Sequence, residues 1–166
     1  MQITASDLIL LGHAACGVLG SIAALWVFVE ALNATPDSAP RLRAAGLIGA
    51  VAMGGAWVLG GYWYVRFYPA EKAMVLKGPW PFAHNIFMET KEHLFFITAM
   101  LSFLLAIAVR DSIHESRAAR KMVLSVAALI VVTGLGIEAA GAVIDHGVKV
   151  ALLSGSARAQ LPRGAE

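Results

Sequence analysis

The chain has 166 residues, 58% hydrophobic and only 14% charged, with a formal net charge of +2. A water-soluble domain carries about a quarter charged residues, so the composition argues against one. The positive charge forms no concentrated patch, which argues against nucleic-acid binding, and the single cysteine, Cys16, leaves no internal disulfide or Cys-x-x-Cys site.

Four apolar stretches account for the composition. Each approaches the roughly 20 residues a helix needs to cross about 30 Å of hydrocarbon. The chain therefore reads as all-α, an integral membrane four-helix bundle running up-down-up-down. The spans are expected at about residues 8–33, 44–65, 85–110 and 120–145. They fill one domain, residues 1–146, followed by a tail, residues 147–166.

The first stretch has no basic lead-in and no cleavage signal, so it is expected to be retained as a helix. Its small residues Gly12, Ala15, Gly17, Gly20, Ala23 and Ala24 admit a close neighbour. Pro36 and Pro40 break the chain before the second stretch. That stretch is glycine-rich and ends in Tyr62, Trp63, Tyr64, Phe67 and Tyr68, which read as an interfacial aromatic belt.

In the connection that follows, Pro69 opens a short helix that Gly78 closes. The run Gly78-Pro79-Trp80-Pro81-Phe82 is expected to cap the bundle at the membrane surface. The third helix begins near His84–Ile86, since Glu89 to His93 contains no breaker. The fourth ends near Asp145-His146-Gly147, with a loosely ordered tail beyond Lys149.

Orientation follows from loop charge. The short third connection carries Arg110, Arg117, Arg120 and Lys121, whereas the N-terminal segment has no Lys or Arg before the first span. Short basic loops stay on the cytoplasmic side. The expectation is a multi-pass protein of a cell inner membrane with periplasmic termini.

Ionisable side chains inside such spans usually mark a functional site. His13, His93 and Glu138 each stand 17 residues from the charged opposite end of their helix. At 1.5 Å per residue this puts all three about 25 Å from that face. The same count on the second helix reaches Gly60-Gly61.

One layer holding two histidines suggests a b-type haem, with His13 and His93 as axial ligands on diagonal helices. Gly60 and Gly61 would make room for the macrocycle. His84 and His146 are the reserve ligands, and Glu89 and Glu138 would orient ligands or take up protons. The protein would then be a membrane cytochrome or haem-bearing subunit passing electrons near the outer face. No Cys-x-x-Cys-His motif is present for covalent attachment.

A second reading is an Fe, Cu or Zn ion held by His13, His93, Glu89 and Glu138. A third is a buried proton or substrate path, or a non-catalytic accessory subunit of a larger complex. Expected partners are the lipid membrane and other membrane or redox subunits, or further copies of the chain. Against these stand plainer roles. His13 and His93 can be hydrogen-bonded between helices, Cys16 can be a packing residue, the glycines can be helix contacts, and His114 can be solvated.

Overall fold

The computed structural model describes residues 3–160, with side chains through residue 155, and every regular element among them is helical. In chain order these are α1 (Ala5–Leu32), a 3-10 turn (Pro36–Ser38), α2 (Ala39–Arg66), α3 (Tyr68–Lys77), a π-helical turn (Ala83–Met88), α4 (Glu89–Ala108) and α5 (Arg117–Gln160). Four helical stretches are long and apolar enough to cross a membrane: Ala5–Leu32, Pro36–Arg66, Ala83–Ala108 and Arg117–Gly155. Their outward faces carry exposed Leu11, Ile22, Val51, Val58, Met100, Ile107, Val132 and Leu135. Such apolar faces suit hydrocarbon rather than water.

Local chemistry sets the helix ends. Thr4 and Asp7 form a reciprocal capping box at the start of α1. Pro36 opens the turn before α2. As its sequence requires, α3 has a proline in its first turn and Gly78 at its end. Helix α5 differs from expectation: it does not stop at Gly147 but runs on to Gln160. Gly147 is an internal contact, because a Cβ there would meet that of Ala83 at 2.6 Å. Residues 161–166, including Arg163, lie outside the described residues.

Helix α1 packs on α2 and α5, and α4 packs on the same two. Small residues permit the approach. A Cβ on Gly20 would lie 2.7 Å from Met53, one on Gly55 3.3 Å from the Cys16 sulfur, and one on Gly46 3.2 Å from the Ala106 backbone. Cys16 is thus a packing residue between α1 and α2. Thr98 donates to Thr133 across α4 and α5 at 2.8 Å, and Trp63 donates to Ser6 across α2 and α1 at 3.0 Å.

The aromatic run at the end of α2 is not one outward belt. The helical period turns Tyr62 outward and Trp63 inward, and Tyr68 is also buried. Trp63 and Tyr68 form an internal cluster with Met88 and Ile144, flanked by Tyr64 and Phe67. The run at residues 78–82 leans on α5, where Trp80 contacts the His146 ring at 4.9 Å.

Two outcomes follow from this packing. Gly46→Leu forces a side chain into the Ala106 backbone and should lower stability by about 1–3 kcal/mol. Gly136→Leu, where a Cβ meets nothing within 4 Å, should not. Denaturant unfolding in detergent checks both. In α3, burial pushes the Glu71 carboxyl above its usual range, and the charges of Asp145 and Asp7 add to this. Ionising Glu71 therefore costs folded-state stability as pH rises through the carboxylate range, and the cost is absent below it. Glu71→Gln should stabilise by about 0.5 kcal/mol or less at pH 8, given solvent screening. The gain should vanish near pH 4 in the same unfolding measurement.

Candidate functional site

His13 projects from α1 onto α2. Its Nδ1 donates to the Ala56 carbonyl at 2.8 Å. The ring reaches that carbonyl only because residue 60 is glycine: a Cβ there would stand 2.5 Å from Nδ1. Gly60 is therefore the seat of the His13 ring. With Nδ1–H committed to the carbonyl, a neutral His13 keeps the lone pair on Nε2.

His13 lines a cavity of about 260 Å³ between α1, α2 and α4. Gly61, Tyr64, Lys91, Glu92 and Phe95 also line it, and the Phe95 ring stands 6.4 Å from that of His13. Lys91 reaches across to α5, with Nζ 3.2 Å from the Cβ position of Gly141, where it feels the charge of Glu138. The Tyr64 hydroxyl interacts with the Glu92 carboxylate. Glu92 Oε1 is buried without a hydrogen-bond partner. Trp57, Val65 and Phe96 stand at the rim, each more than half exposed.

The structure does not bring His93 to this cavity. His93 is exposed and shares the outward face of α4 with Phe96, Ile97 and Met100. Its Nδ1 donates to the Glu89 backbone carbonyl of its own helix at 2.6 Å. The Glu89 carboxylate faces elsewhere, 3.6 Å from His84 Nε2. Glu138 is exposed as well, on the α5 face beside α1, with Oε1 3.0 Å from the Cβ position of Gly17. The common height of His13 and Gly60 is as the residue count expects. The rotation of α4 and α5 is not, because a count along an axis carries no azimuth.

The reserve histidines are engaged in other ways. His84 is buried in the π-helical turn, where Tyr68 OH and Nδ1 lie 3.1 Å apart. Burial pushes the Tyr68 hydroxyl above its ordinary value, and the neighbouring Tyr64, Glu71, Glu92 and Glu89 add to this. Tyr68 stays neutral and shares a hydrogen bond with Nδ1. His84 Nε2 faces the Glu89 carboxylate at 3.6 Å, so neither ring nitrogen is directed to the cavity. His146 is exposed against Trp80. Among the described residues, no group of three or more His, Cys, Asp or Glu gathers closely enough to hold a metal ion.

Lys91, Glu92 and Tyr64 are not among the candidate ligands that the sequence singles out. A signal for the first two existed. Stepping back by three or four from buried Ser102 and Thr98 along α4 passes Phe95 and reaches Lys91, Glu92 and Met88, and it skips His93.

Gly60→Ala should expel the His13 ring from Ala56. The measurable result is loss of the downfield-shifted His13 Nδ1–H proton resonance in nuclear magnetic resonance, with helix content unchanged. Comparison with protein-family models, with characterised proteins and with solved structures finds no match to this chain.

Proposed function

We propose that this chain is a multi-pass membrane protein that binds a small ligand in the α1–α2–α4 cavity and exchanges protons with it. One observation carries the reading: His13, Lys91 and Glu92 converge on a single, otherwise largely apolar cavity, and the Glu92 carboxylate keeps a buried oxygen unbonded. Ionisable groups inside membrane spans are costly and are kept for ion, proton or substrate handling. An apolar cavity with a few convergent polar groups is the usual form of a ligand site.

The reading includes an up-down-up-down course of the four spans, which fits α1 and α4 each packing on α2 and α5. It also includes an inner-membrane location with both termini outside, since four basic residues lie within residues 110–121. Glu138, an exposed carboxylate on an otherwise apolar span, fits a further subunit or a second copy docked against the α1–α5 face.

A second reading places a redox cofactor, haem b or an Fe, Cu or Zn ion, on His13. It is favoured by the Nδ1–H···O=C bond to Ala56, which leaves Nε2 as a ligand-competent lone pair, the arrangement common in metal-binding histidines. A bis-histidine haem asks for a second imidazole on the same cavity, and His93, His84 and His146 are directed elsewhere.

Native mass spectrometry of the protein released from detergent tests the ligand site. The expected result is a bound small molecule retained by wild type and by Gly136→Leu. It should be lost from Lys91→Met and from Gly61→Leu, which fills the cavity. Equal occupancy in all four proteins, or none in wild type, would remove the proposal. Absorption of the oxidised and reduced protein separates the second reading: haem bands abolished by His13→Ala would replace the first reading with it.

A further inference from the structure

Resting on the ligand-binding reading above, we infer that the cavity takes the ring of a lipid-soluble quinone or quinol entering sideways from the bilayer. The polar groups His13, Lys91, Glu92 and Tyr64 share the cavity with apolar side chains, and Trp57 and Phe96 stand exposed at its rim. Their rings meet edge to face at 6.3 Å. A rim exposed on the outward faces of two spans opens to hydrocarbon, so the ligand arrives dissolved in the membrane and has an apolar body.

Size narrows the class. A cavity of about 150 Å³ is enough to hold benzene. At about 260 Å³, this one suits a single substituted six-membered ring, with the tail left in the lipid. A tetrapyrrole is larger than that.

Charge narrows it again. A lysine ammonium donates hydrogen bonds and accepts none, whereas a carboxylate accepts and does not donate. An anionic lipid head, such as a fatty-acid carboxylate, would pair with Lys91 but would be repelled by Glu92. A cationic head meets the reverse conflict. A neutral ring bearing an oxygen at each of two positions satisfies both: one oxygen accepts from Lys91, and a hydroxyl on the other side donates to the carboxylate of Glu92, which lines the cavity. Quinones present carbonyl oxygens and quinols present hydroxyls at those positions. Glu92 therefore favours the quinol, whose O–H donates to a carboxylate where a quinone carbonyl cannot. The inference concerns binding alone.

Gly61 makes the site testable without breaking the fold. It lines the cavity, a Cβ there meets nothing within 4 Å, and leucine is a better helix former than glycine. The probe is a benzoquinone with a ten-carbon tail, and separately its quinol, titrated into the full chain in lipid nanodiscs. Quenching of intrinsic tryptophan fluorescence reports binding, since Trp57 and Trp63 line the cavity.

The expected result is saturable quenching at one ligand per chain. Gly61→Leu should weaken it at least tenfold, and Gly136→Leu should leave it unchanged. Glu92→Gln should weaken the quinol more than the quinone. Lys91→Met, which keeps an unbranched side chain and removes the amine, serves as the second blocking variant if Gly61→Leu fails to insert. Non-saturable quenching identical to that of partition into lipid, equal quenching in wild type and both blocking variants, or tighter competitive binding of oleate would overturn the inference. A cavity-dependent mass of another chemical class in the native spectrum would sink the quinone assignment and leave the ligand site standing. No cavity-dependent mass at all would sink both.

Discussion

Backbone-to-backbone approach at glycine is the constraint from which the rest of this bundle follows. Lipid is as apolar as leucine, so no hydrophobic force drives one span against another, and the helices associate through close packing and a few polar contacts. Here α2 meets α1 through Gly49 and Gly55 and meets α4 through Gly46, while α1 offers Gly20 to Met53. Each contact is short because no Cβ intervenes. The buried core is accordingly rich in alanine and valine, and most large side chains are left for the outward faces.

The same device builds the site. Gly60 lets the His13 ring lie on the α2 backbone and bond the Ala56 carbonyl, and one residue on, Gly61 leaves the cavity wall open. A histidine in a span needs a partner, and this one finds it in a carbonyl already inside a helix. That contact satisfies the plain structural role and also fixes the tautomer, so one hydrogen bond serves both packing and any chemistry at Nε2. Glycine on α2 thus acts first as a spacing element. The room it leaves for a ligand is a consequence of helix packing.

Outside the cavity the polar groups are organised differently. The π-helical turn adds a residue to the usual hydrogen-bond ring just before α4 and carries His84 inward to Tyr68, beside Glu89. This polar cluster adjoins the aromatic packing of Trp63, Tyr64 and Tyr68. Tyr64 lies between the two groups, touching Tyr68 on one side and the Glu92 carboxylate on the other. The ionisable content of this end of the bundle is therefore a connected set built on four elements, and no single motif along the chain spells it out.

Sequence alone determined the number of apolar helices, the breaks at Pro36 and Gly78, the proline-led start of α3, and the height shared by His13 and Gly60, because composition, breakers and rise per residue are properties of one strand of chain. It could not supply rotation about each helix axis. On α4, two neighbouring positions separate the outcomes, with Glu92 directed into the cavity and His93 turned to the outside. That choice is made by which face α4 presents to α2 and α5, and the face is selected by Ser102, Thr98 and Leu105 packing inward. Glu138 moved to the surface for the same reason, and Gly147 became a contact instead of a stop once Ala83 came to rest on it. Only the packed helices fix azimuth, since it depends on the shape of the neighbours, and with it they decide which ionisable groups meet.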